Sequence, residues 1–172
     1  MSQFLFFERY KRFIQYLSLL QMQDIFQHIK EAWADEEYYI ASAIDGNLVL
    51  TAYGFAMENA APIRLWQNEH HDDQIWILRK GVGFCYFINK HSLKYLNCTD
   101  GPVQGHIVSQ YEEGDNNSKW NLIPHNNYVI IKHFKTNMCI DVPGAVAKGE
   151  VILQLWPKNG TNAQDFILRP VK

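Results

Sequence analysis

The spacing of apolar positions changes once along the chain, near residue 36. Before that point no Gly or Pro falls between Phe6 and Trp33, and large apolar residues stand at Phe6, Tyr10, Phe13, Leu17 and Leu20, then at Met22, Ile25, Phe26, Ile29 and Trp33. Steps of three and four predict helix, either two helices joined between Ser18 and Gln23 or one helix whose buried face rotates. So much aromatic surface on one arm needs a cover, which is expected to be the following domain, a second copy in a homodimer, or a partner protein. After Asp35-Glu36-Glu37 the texture becomes short β-branched and aromatic runs, which predict strands over 38–42, 47–50, 84–88, 95–97 and 128–133. Asp45-Gly46-Asn47, Asn126-Asn127 and Lys158-Asn159-Gly160 mark turns between such runs.

The strand region repeats. Trp66, Tyr111 and Trp156 each close an apolar run and stand 45 residues apart. Each is followed by a second aromatic, Trp76, Trp120 and Phe166, at ten, nine and ten residues. A fixed period of this length is the mark of one supersecondary unit copied along the chain. Three copies fill positions 37 to 172, which is too few for a propeller. Three four-stranded units can instead close a six-stranded barrel capped by three hairpins, leaving no exposed sheet edge. The second aromatics are then expected to plug the core, one per unit.

Composition narrows the function. The 172 residues are 47% hydrophobic with a formal net charge of −2, and no cluster of Lys and Arg exceeds Lys11-Arg12, so there is no electrostatic footprint for nucleic acid. No run is apolar enough for a membrane span, and the charged N-terminus does not read as a signal peptide. Cys85, Cys98 and Cys139 are an odd number, which points to a reducing compartment and no disulfide framework. The protein is therefore expected in the cytoplasm, or released by a non-classical route. His70-His71-Asp72-Asp73 holds metal-ligand residue types, but four consecutive residues converge poorly on one ion and read as a solvated hairpin tip. No nucleophile elbow, phosphate loop or cofactor motif is present in the sequence, so neither an enzyme nor a cofactor or metal is expected.

Gln74-Ile75-Trp76 in the first repeat, and Cys139-Ile140-Asp141-Val142, Gln154-Leu155-Trp156-Pro157 and Asn159 to Phe166 in the third, resemble the ricin-B-type β-trefoil lectins. The match is weaker in the second repeat, where Ser118 stands for Gln. The resemblance implies a β-trefoil over 37–172; with the helical spacing that lies outside it, the expected fold class is mainly β, a β-trefoil preceded by an α-helical N-terminal arm over 1–36. The resemblance also implies a shallow sugar pocket in each repeat. There an Asp accepts hydrogen bonds from ring hydroxyls, an aromatic ring covers the sugar's C–H face, and an Asn completes the set.

Carried onto the third repeat, these roles fall to Asp141 and Trp156, with Gly144 at the turn, Gln164 in the motif, and Asn159 or Asn162 supplying the amide because the family's Asn position holds Ala163. In the second they fall to Asn97, Tyr111 and Asn117. In the first, Trp66 matches but the Asp position falls at Leu50 or Thr51, so this pocket is expected to be silent. In the family a Cys two before the Asp commonly bonds a Cys just after Trp-Pro; here Cys139 would face Lys158, and no bridge can form. The implied function is a lectin for galactose-type or N-acetylgalactosamine-type glycans, serving as the binding component of a toxin or defence assembly. The alternative is a protein-interaction or protease-inhibitor trefoil without sugar binding.

Overall fold

The computed structural model describes residues 35–171. Over them run twelve strands and four single-turn 3-10 helices: β1 (Glu36–Ser42), β2 (Leu48–Thr51), β3 (Arg64–Gln67), β4 (Ile75–Gly81), β5 (Phe84–Asn89), β6 (Tyr95–Asn97), β7 (Ser109–Tyr111), β8 (Trp120–His125), β9 (Tyr128–His133), β10 (Met138–Asp141), β11 (Gln154–Pro157) and β12 (Phe166–Pro170). The pairings β1 with β4, β4 with β5, β5 with β8, β8 with β9, β9 with β12 and β12 with β1 form a closed ring, which is the six-stranded barrel. The hairpins β2–β3, β6–β7 and β10–β11 hang from β1, β5 and β9 respectively. Single bridges Pro62 to Ser109, Arg64 to Ile152 and Ile107 to Gln154 tie the hairpins to one another, so the cap closes as well. Every strand edge of the barrel is paired, as the repeat argument requires.

The expected fold class needs a correction. Among the described residues the architecture is the β-trefoil without any α-helix, and the expected arm boundary at residue 36 is wrong, because Glu36 opens β1 and pairs with Leu78. The helical spacing of 6–33, with the dimer or partner interface attributed to it, lies outside the described residues. No helix among the described residues is long and apolar enough to cross a membrane.

Threefold equivalence shows in the core. Trp76, Trp120 and Phe166 are fully buried at the starts of their repeat-closing segments. The two indoles have a polar edge that must be satisfied once buried. Trp76 Nε1 donates to Leu50 O at 2.9 Å and Trp120 Nε1 to Leu96 O at 3.0 Å, which are matching positions in the two hairpins. Phe166 fills the third place with no such donor. Around them Ile40, Leu50, Leu65, Phe87, Leu96, Ile131, Ile140 and Leu155 complete one apolar cluster.

A second equivalent set braces the loops. The 3-10 turns Asp72–Gln74, Asn116–Ser118 and Asn162–Gln164 precede the three plug aromatics. In the first and third repeats the buried glutamine of the turn holds the loop after its aromatic strand. Gln74 accepts from Glu69 N at 2.8 Å and donates to Gln67 O at 2.7 Å; Gln164 accepts from Asn159 N at 3.0 Å and donates to Pro157 O at 3.0 Å. Ser118 makes a shorter version, donating to Glu113 O at 3.1 Å. This explains how the second repeat survives without its glutamine.

Candidate functional site

Each repeat presents a cavity between its hairpin and its 3-10 turn. The largest, of about 450 Å³, belongs to the third repeat and is lined by Asp141, Gly144, Gln154, Trp156, Asn159 and Asn162, among others. Asp141 is the last residue of β10 and lies opposite Gln154 of β11, while Trp156 stands two residues further along β11 on the same face. The hairpin register therefore places carboxylate and indole side by side. Trp156 is half-buried, so part of its ring remains open to the cavity.

The turn after β10 shapes the floor. Gly144 has φ 63° and Ala145 φ 55°, and these successive left-handed residues reverse the chain beneath the cavity. Asp141 is held from two sides: Gln154 Nε2 donates to Oδ1 at 2.9 Å and Gln164 Nε2 to Oδ2 at 3.2 Å. Each carboxylate oxygen keeps a lone pair for a ligand hydroxyl. Burial lifts the Asp141 carboxyl above its ordinary value, and the two glutamine bonds pull it partly back. On the far wall Asn159 Oδ1 accepts from Thr161 N at 3.0 Å and Thr161 Oγ1 at 2.8 Å, which leaves the Asn159 amide NH₂ to face a ligand.

Of the six third-repeat residues named from sequence, Asp141, Gly144, Trp156, Asn159 and Asn162 meet at one cavity. Gln164 is fully buried behind it and acts through Asp141 as a positioning residue. Gln154, which orients the carboxylate, stands in the Gln154-Leu155-Trp156-Pro157 motif but has no expected role at the site. Its signal was available: it is the residue that a hairpin of this length pairs with Asp141.

In the second repeat Asn97, Tyr111 and Asn117 do share a cavity, of about 260 Å³. Asn97 is nearly fully buried, and its amide donates to Ser118 Oγ at 2.7 Å and to Asp115 Oδ1 at 3.3 Å. The carboxylates of Glu113 and Asp115, which no repeat motif marks, supply this cavity's charge.

The first repeat departs from expectation at one residue. His70, His71 and Asp72 are exposed as a hairpin tip should be, but Asp73 is buried and lines a cavity of about 230 Å³ together with Trp66. The pocket thus has a carboxylate after all. It comes from the 3-10 turn, while Thr51 holds the strand position equivalent to Asp141.

The cysteines are buried and free. In the hairpin register Cys139 lies directly opposite Trp156, and the Lys158 charge acts on its thiol, so no second cysteine stands beside it. Burial pushes the Cys85 and Cys98 thiols up to about 12 and Cys139 up to about 11, so all three are poor nucleophiles.

Residues 72–156 match the model of the ricin-type beta-trefoil lectin domain-like family. Over these residues, just under half of its length, the chain resembles that family. No curated protein matches the sequence closely enough to count as a relative. Among solved structures, the chain is similar to the designed three-fold symmetric protein ThreeFoil, at 21% identity and TM-score 0.73 over 77% of this chain and 96% of that one. An exo-β-1,3-galactanase from Clostridium thermocellum aligns at 26% identity and TM-score 0.73 over 79% of this chain, which spans only 30% of the galactanase. The Macrolepiota procera ricin B-like lectin in complex with lactose aligns at 18% identity and TM-score 0.69 over 77% of this chain and 94% of the lectin.

Proposed function

We propose that this trefoil is a carbohydrate-binding module without catalytic activity, and that its principal site is the third-repeat cavity. The observation that carries the reading is the convergence of Asp141 and Trp156 on one open cavity, with Gln154 and Gln164 aiming the carboxylate. An ionised carboxylate with two lone pairs free can accept from two adjacent ring hydroxyls, and a flat indole covers an apolar C–H patch. Sugars of the galactose and N-acetylgalactosamine type offer that patch on one face. The lactose held by the Macrolepiota procera lectin, which shares the fold, supports the same class.

One carboxylate and one ring in a shallow cavity suit a weak site, with Kd on the order of 0.1–1 mM, about −4 to −5.5 kcal/mol. Such a module is useful for bringing another activity to a glycan surface, as the binding component of a toxin or defence assembly would. The buried, unpaired cysteines favour a reducing compartment or a non-classical exit. The test is retention on a galactosyl resin: Asp141→Ala and Trp156→Ala should each abolish it, and retention surviving both changes would overturn the site.

A further inference from the structure

The first-repeat cavity is built for different chemistry from the third. Register makes Thr51 the counterpart of Asp141, yet its hydroxyl is already engaged, donating to Val49 O at 3.1 Å and lying 3.3 Å from Gln74 Nε2. The acid stands instead across the cavity at Asp73, where the third repeat has Ala163, one residue before the glutamine in both cases. Asp73 is 4% exposed, and its Oδ1 makes no hydrogen bond. An unpartnered buried carboxylate oxygen is costly unless something completes it. Burial also pushes the Asp73 carboxyl above its ordinary value, against a partial pull from the Phe55 backbone amide.

Three aromatic rings line the same space: Tyr53, Phe55 and Trp66. Tyr53 and Trp66 lie 4.9 Å apart between centroids at 55°. Gly54 and Phe55 repeat the left-handed pair Gly144 and Ala145, with φ of 73° and 57°, so the turn is shared but a phenyl replaces a methyl. Phe55 is 47% exposed, so a bulky residue holds a strained backbone conformation without the return of core packing. Its ring instead leans on His71 and His91 at 5.5 and 5.2 Å. Glu69 adds a second acid to the lining, which contains no Lys or Arg. The ring faces already attract a cation from within the protein, since the Arg64 guanidinium lies 5.1 Å from the Tyr53 centroid.

We propose that the first-repeat cavity binds an ammonium group, seated among Tyr53, Phe55 and Trp66 with Asp73 as its counter-ion. A positive charge in the cavity offsets the poorly compensated Asp73 carboxylate electrostatically and meets the negative faces of the rings, which a neutral hydroxyl cannot do with equal strength. The cavity, about half the volume of the third-repeat one, suits a small head group. Two sources share this chemistry, the protonated amine of an amino sugar and a methylated ammonium ion.

The experiment is a titration of the full chain followed by tryptophan fluorescence and amide NMR shifts, using galactosamine, choline, and 3,3-dimethylbutanol as the neutral isostere of choline. The proposal expects at least one ammonium compound to shift signals around Trp66 and to bind about tenfold or more tightly than the isostere. Choline alone identifies a methylated ammonium as the ligand, whereas galactosamine binding identifies the amino sugar. Asp73→Asn should remove the response while Asp141→Ala leaves it intact, which separates this site from the third-repeat reading. If Asp73→Asn does not fold, Phe55→Ala, which changes an exposed side chain, must weaken binding several-fold. Equal binding of the neutral isostere, shifts around Trp66 with neutral galactose but with no ammonium compound, or full binding by Asp73→Asn or Phe55→Ala would overturn the proposal.

Discussion

At the scale of single residues, the acid on which the proposed sugar site rests works against folding. The Asp141 carboxyl is raised above its unfolded value, chiefly by burial. A raised carboxyl means the native state binds more protons than the unfolded one between the two values, so stability falls as pH rises through that window. The penalty is absent below the unfolded value and fully present above the folded one. Asp141→Asn should therefore match or exceed the parent in urea stability at neutral pH and lose that advantage in acid, while sugar affinity drops about tenfold or more. The amide can be accommodated because Gln154 is free to turn its own amide end for end, whereas Gln164 is fixed by Asn159 N and Pro157 O. A clear loss of stability at neutral pH would contradict the account. Sugar binding by the parent needs the ionised acid, so it should fade as pH falls through the raised value.

The cysteines give a second check at this scale. With all three thiols buried and raised, iodoacetamide at neutral pH should modify the native protein slowly and label three sites once guanidinium opens the fold. Mass spectrometry reads both states, and rapid native labelling of Cys98 or Cys139 would show the hairpins to be open.

At the scale of elements, the 3-10 turns connect the core to the cavities. Gln164 touches no ligand space, yet it links the Asn159 amide, the Pro157 carbonyl and Asp141 Oδ2. Gln164→Ala should cost about 2–3 kcal/mol of stability from stranded buried polar groups. It should also raise the pH midpoint of sugar binding, because a bond that favours the ionised Asp141 is removed; an unchanged midpoint would make Gln164 a purely structural brace. Strands with β-branched and aromatic runs, such as β2, β5, β6 and β9, were legible in the sequence to within a residue or two, because burial on a pleated surface selects those side chains. Asp73 was not, since the three residues before it, His70, His71 and Asp72, are polar and exposed. What buries it is the Tyr53 to Phe55 loop, distant in sequence, and only register with Ala163 and Asn117 would have marked its place.

At the scale of the molecule, three imperfect copies share one core while their cavities diverge. The plug aromatics hold the copies together: Trp76→Ala empties a fully buried site and strands Leu50 O, at a cost of about 3–5 kcal/mol. Calorimetry should show one cooperative transition at lowered temperature, because all three repeats contribute to a single apolar cluster. Two separate transitions would mean that the repeats fold independently. The overall architecture was legible because it rests on a period and on conspicuous aromatics. The cavities were legible only in part, because each is set by which hairpin and turn positions carry acid, amide or ring. The third has its acid on the strand at Asp141, the second on the loop at Glu113 and Asp115, and the first on the turn at Asp73.

The central claim is that the third-repeat cavity is a sugar site, and an amide and indole NMR titration of the chain with lactose tests it most directly. The account predicts saturable shifts at the Trp156 indole and at the Gly144, Ala145 and Asn159 amides, with Kd on the order of 0.1–1 mM, all abolished by Asp141→Ala. Saturable shifts confined to the other repeats, or none at these four positions up to tens of millimolar sugar, roughly a hundred times the tighter bound, would contradict it.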